Sequence, residues 1–145
     1  MGMLRRVRLW VAPVCFCAVD AAVTLAGQSP AYWSGERVEA WEANPVGLWL
    51  LWLHPLAFAA GAVASMELYV LLLERLPRNL ARLASFVILF LHALGAATWF
   101  VRLGAVGYVV AAGWLLLASW LLGWSWREEP PRQPDAGVGS VRDGR

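Results

Sequence analysis

Asp20, Glu67 and His92 each interrupt an otherwise apolar run of the chain. An ionisable group in hydrocarbon costs at least ~2.5 kcal/mol on insertion scales, so each of these residues calls for a reason. Three kinds of chemistry suit two carboxyl groups and an imidazole in such a setting. They can tie helices together as polar contacts, hold a metal, haem or catalytic centre, or carry protons or ions. Thr24 lies one helical turn from Asp20 on the same face, where its hydroxyl bonds either the carboxyl group or its own helix. A second group, Glu42, Asn44, Pro45 and His54, borders the next apolar run. Asn44 and Pro45 have the residue types of an N-cap and a first helical position, with Glu42 beside the positive end of the helix dipole. The alternative is that Glu42 and Asn44 fold onto the end of the bundle and, with Asp20, form an oxygen-rich pocket. That pocket would suit a hard cation better than zinc or copper. The candidate metal ligands are therefore Asp20, Glu42 and His92, while His54 is either solvated or paired with Glu42 or a metal.

No cofactor is required by the sequence. Counting 1.5 Å per residue from the nearest basic cluster gives depths of about 18 Å for Asp20, 12 Å for Glu67 and 15 Å for His92, so the three fall in one layer. The same count separates His54 from His92 by about 15 Å along the membrane normal, too far for opposite faces of one haem iron. Gly-rich phosphate loops, paired-histidine zinc helices and Gly-x-Ser-x-Gly elbows are all absent. Cys15 and Cys17 are two positions apart, hence on different faces of a helix, which fits neither a mutual disulfide nor a metal knuckle.

The elements that position these residues follow from hydropathy. The 145 residues are 60% hydrophobic, with a mean hydropathy of +0.56, beyond the range of soluble domains. We expect an all-α membrane bundle of about four transmembrane helices over residues 9–27, 55–73, 83–101 and 104–123. The first run follows Arg5, Arg6 and Arg8 as a signal peptide would, but Asp20 and its length mark it as a retained helix. The run from Pro45 to Leu76 would be about 48 Å long as one helix, against roughly 30 Å of hydrocarbon. Pro55 breaks it, because proline gives no N–H to the carbonyl of Leu51. Residues 46–53, with Trp49 and Trp52, then form a short interfacial helix. The brief connection around Arg102 to Gly104 makes the last two spans an antiparallel hairpin. On the third span, Ile88, His92, Gly95, Trp99 and Arg102 form one stripe that should face inward. Ala57, Gly61 and Ser65 give the second span a small-residue face for an internal neighbour or for a homo-oligomer. Residues 127–145, rich in Pro, Gly and charge, are expected to be a disordered tail.

Basic residues concentrate on the cytoplasmic side of membrane proteins. Arg5, Arg6, Arg8, Arg75, Arg78, Arg82, Arg127 and Arg132 fall on one side, with only Arg37 and Arg102 on the other. This puts both termini in the cytoplasm and the Glu-rich first loop outside, as a multi-pass protein of the inner (cytoplasmic) membrane. A net charge of +2 without a basic face excludes a nucleic-acid partner; the lipid bilayer is the expected one.

Asp20-Ala-Ala-Val-Thr24, followed by Glu42-Ala-Asn44-Pro45, resembles an uncharacterised family of small prokaryotic membrane proteins, a domain of unknown function. In that family a first-helix Asp and Thr precede a Glu-x-Asn-Pro motif. The resemblance covers the first half of the chain and implies a few short helices without an activity. Many relatives carry a basic residue in the second helix, where this chain has Glu67. The leading expectation is a non-enzymatic bundle that binds a partner, a lipid or a second copy. The alternative is a membrane enzyme or ion or metal transporter with a polar site in the outer half of the bilayer.

Overall fold

A computed structural model describes residues 3–127; the expected tail lies, past Arg127, outside them. Six α-helices and no strand occur among the described residues: α1 (Met3–Ala26), α2 (Pro30–Ser34), α3 (Pro45–Leu53), α4 (Pro55–Arg75), α5 (Arg78–Phe100) and α6 (Ala105–Trp126). Segments of α1, α4 and α6, and of α5 with the turn that follows it, are long and apolar enough to cross a membrane. The α5 helix begins at Arg78, five residues before the expected span. Pro77 ends the preceding turn, and the amphipathic stretch from Arg78 to Arg82 continues the helical register.

Helix boundaries follow local chemistry. The Asn44 side chain accepts from the amides of Val46 and Gly47, and Pro45 takes the first helical position. His54, extended because a proline follows, separates α3 from α4, and its Nδ1 accepts from the Leu56 amide at 3.1 Å. The ring is exposed, in keeping with a solvated His54, and its Nδ1 serves as a cap. Gly104, at φ 71° and ψ −147°, turns the chain from α5 into α6. The expected hairpin forms there.

Helix α1 is the pillar of the bundle: it packs against α4, α5 and α6, whereas α4 and α6 do not meet. One core joins Ala12 and Phe16 to Leu89, Ala93 and Ala118, with Trp114 stacked on Phe16 at 4.0 Å between ring centroids. A second, near the start of α5, joins Leu9, Leu73 and Ala81. At the other end Tyr32, Ala40, Leu51 and Phe58 form a cap. The small face of α4 has an internal occupant at Gly61, where a Cβ would stand 2.5 Å from Leu50 Cδ1 of α3.

Two prolines lie at internal positions of the apolar runs, and each leaves one carbonyl without its normal donor four residues on. Pro13 orphans Leu9 O, and the buried Ser85 hydroxyl of α5 donates to it at 2.8 Å. Pro55 orphans Leu51 O, and the fully buried Tyr32 hydroxyl donates to it at 3.1 Å. In both cases a side chain distant in sequence replaces the lost helical hydrogen bond.

Candidate ligand-binding site

Asp20 of α1 and His92 of α5 meet across the principal helix interface. Asp20 Oδ2 lies 2.8 Å from His92 Nδ1, and the other ring nitrogen, Nε2, lies 3.1 Å from the Tyr69 hydroxyl of α4. An ionised carboxylate only accepts, so against an ionised Asp20 it is Nδ1 that carries a proton. Nε2 then accepts from Tyr69 if the ring is neutral and donates to it if the ring is protonated. The approach depends on Gly95, since a Cβ there would stand 2.7 and 2.8 Å from the two Asp20 oxygens.

The expected layer of Asp20, Glu67 and His92 is corrected in one member. Glu67 is exposed on α4, and Tyr69 takes its role as the third polar group. Residues two apart on a helix point about 200° from each other at 3.6 residues per turn. Turning Tyr69 toward α5 therefore turns Glu67 outward. Cys17 is buried one turn from Asp20 while Cys15 is exposed, and both are free.

Asp20 and His92 keep 19% and 21% of their side-chain surface exposed, which opens onto a cavity of about 740 Å³. The cavity lies at the end of the bundle that carries α2 and α3. Its walls include Asp20 and Thr24 of α1, residues 40–44 of the loop, and Leu91, His92, Leu94, Gly95, Thr98, Trp99 and Arg102 from α5 and its following turn. Glu42 and Asn44 thus do fold onto the end of the bundle with Asp20, while Asn44 and Pro45 also cap α3. Capping of α3 and lining of the cavity therefore fall to the same short segment.

Gln28 fixes the loop that carries Glu42. Its side-chain NH2 donates to Thr24 O at 2.8 Å and to Trp41 O at 2.9 Å, and its carbonyl accepts from the Trp41 amide at 2.8 Å. Burial pushes the Glu42 carboxyl above its ordinary range, and nearby Asp20 adds to this. The Asn44 amide, at 2.8 Å from the Glu42 carboxylate, the Ala43 amide and the Thr24 hydroxyl act in the opposite direction. Glu42 is therefore a carboxylate held short of full solvation, which a positive group would relieve.

Arg102 stands at the rim. Its guanidinium carbon lies 4.5 Å from the Trp41 ring centre and 4.1 Å from that of Trp99, so both π-faces hold it. Trp99 itself takes the space that a Cβ on Gly27 would need. A guanidinium fixed through its faces keeps its N–H edge for an anion.

Among the described residues no three of His, Cys, Asp and Glu gather as metal ligands. Asp20 and His92 contact each other, and Glu42 stands apart from them on the wall formed by the loop. Sequence reasoning singled out Asp20, Thr24, Glu42, Asn44 and His92, all of which border the cavity, and passed over Gln28 and Tyr69. Gln28 shows only the signal of a polar residue at a helix end; Tyr69 shows none beyond its polar tip in an apolar helix. Comparison with known proteins returns nothing: no family model matches the chain, and no curated protein or solved structure is similar to it.

Proposed function

We propose that this chain is a multi-pass protein of the cytoplasmic membrane that binds a zwitterionic ligand at its outer end without transforming it. The orientation rests on arginine: the clusters around Arg5 and Arg75 and the residues after Trp126 mark the cytoplasmic side, and Arg37 and Arg102 the outer one. The observation that carries the reading is the convergence of Asp20, Glu42 and Arg102 on one cavity of about 740 Å³. That volume lies within the range of small-molecule sites.

The chemistry defines the ligand class. Arg102 offers an N–H edge to a phosphate or carboxylate. Glu42, Asp20 and Thr24 offer oxygen acceptors to a cation. A primary ammonium fits better than a trimethylammonium, because it can donate hydrogen bonds to those oxygens. The indole faces that would cage a quaternary ammonium are already taken by Arg102. Catalysis has no support of comparable weight, since both His92 nitrogens are engaged, one by Asp20 and the other by Tyr69.

Calorimetric titration of the protein in maltoside micelles tests this. Glycerophosphoethanolamine is expected to bind, and glycerophosphocholine to bind more weakly. Equal affinities for both, or binding of neither, would remove the proposal. One observation favours a second reading: the chain Asp20–His92–Tyr69 crosses three helices and has the form of a proton relay. In that case Tyr69→Phe in liposomes would abolish a proton flux that the wild type supports.

A further inference from the structure

We infer that the zwitterion is the head of a lipid, and that one of its acyl chains continues from the cavity into an apolar groove between α5 and α6. This rests on the ligand reading above and names its class.

The groove has a volume of about 160 Å³ and is walled by Phe86, Phe90 and Ala93 of α5 and by Leu115, Ala118 and Leu122 of α6. Leu94 belongs both to this groove and to the polar cavity, so the two spaces adjoin along α5. On α5 the groove covers residues 86–94, about 12 Å of helix at 1.5 Å per residue, and it points toward the cytoplasmic end. Its rim faces outward: Phe86 and Phe90 stack at 5.6 Å between centroids, and both are exposed. The cavity side is open in the same sense, because its walls include Leu91, 61% exposed. A molecule with a charged head and a hydrocarbon chain can therefore enter sideways from the bilayer while its chain stays in an apolar medium throughout.

The charges select the occupant. A phosphate at Arg102 and a primary ammonium near Glu42 together describe a phosphatidylethanolamine-type headgroup. Lipid tails are as apolar as the groove walls, so the groove fixes where the chain lies and adds little affinity, which the headgroup supplies.

The test uses the full chain in phosphatidylcholine nanodiscs doped with a phosphatidylethanolamine that carries a diazirine in mid-chain. After irradiation the adducts are mapped by mass spectrometry. They are expected on α5 between residues 86 and 94 and on α6 between 115 and 122. Ser119→Phe, which fills the groove from an exposed position, should remove them while calorimetric binding of soluble glycerophosphoethanolamine stays unchanged. Leu122→Phe fills the same groove and should give the same result. Adducts spread evenly over α4 and the other lipid-facing surfaces, with headgroup binding intact, would overturn the chain assignment alone. Absence of soluble headgroup binding in the wild type would instead overturn the cavity reading on which it rests.

Discussion

Removing the Ser85 hydroxyl leaves the Leu9 carbonyl without a donor, because Pro13 has no N–H to replace it. Leu9 is 4% exposed and Ser85 not at all, so water does not reach the orphaned oxygen. A buried acceptor left unpaired costs about 1–3 kcal/mol, whereas the side-chain volume lost in Ser85→Ala is one oxygen atom. The size of the effect should depend on Pro13. In a Pro13→Ala background the backbone amide gained at that position can bond Leu9 O within the helix, and Ser85→Ala should then cost much less. The double-mutant coupling is expected at about 1–2 kcal/mol. Equilibrium unfolding in mixed micelles, driven by increasing dodecyl sulfate, measures all four proteins on one scale. If Ser85→Ala costs the same with and without Pro13, the carbonyl is not what Ser85 serves, and the reasoning fails.

The same logic predicts that Tyr32→Phe destabilises the chain by about 1–3 kcal/mol in that unfolding assay, since Leu51 O then faces Pro55 with no donor; an unchanged midpoint would refute it. Gly95→Ala should push the Asp20 carboxylate away from His92, because the added Cβ has 2.7 Å to the nearer oxygen. The expected cost is about 1–3 kcal/mol, and the shift of the His92 ring resonances in a labelled sample would report the displacement; resonances identical to wild type would contradict it. Glu42 gives a pH signature. A carboxyl raised above its ordinary value of 4.5 binds its proton more tightly in the folded chain than in the unfolded one. Stability from this group is therefore greatest at low pH and falls as pH rises from the ordinary value through the raised one. Glu42→Gln should flatten that slope in an unfolding series across the acid range, and parallel curves for the two proteins would dismiss the idea.

Much of the fold was legible because its determinants are local. Pro55 ends one helix and starts another, Asn44 caps α3, and Gly104 turns α5 into α6, each through chemistry confined to a few residues. The polar site was half legible. Asp20 and His92 stand out because hydrocarbon tolerates such groups only with a partner, and Glu42 and Asn44 because they gather at a helix start. Glu67 stood out equally, but counting residues gives height in the membrane and no rotation about the helix axis. Packing of α4 on α1 and α5 decided that Tyr69 faces His92 and Glu67 does not. Gln28 bonds Trp41 across 13 positions, and Arg102 meets Trp41 across a wider gap still, pairings that no local pattern encodes. The borrowed hydroxyls of Ser85 and Tyr32 were foreshadowed on one side only. Each proline announced an orphaned carbonyl, but the donor comes from a distant part of the chain.

The central claim is that Glu42 and Arg102 form the two poles of one ligand site. Calorimetric titration of wild type, Glu42→Gln and Arg102→Gln with glycerophosphoethanolamine in maltoside micelles tests it most directly. Arg102 is exposed at the rim and Glu42 is partly buried, so solvent screens both charges, and neutralising either should cost about 1 kcal/mol, a severalfold weakening of binding. Inorganic phosphate should be affected by the Arg102 change more than by the Glu42 change, and ethanolamine alone in the reverse order. Wild-type affinity in both variants would contradict the account, since the cavity would then hold the charges without using them.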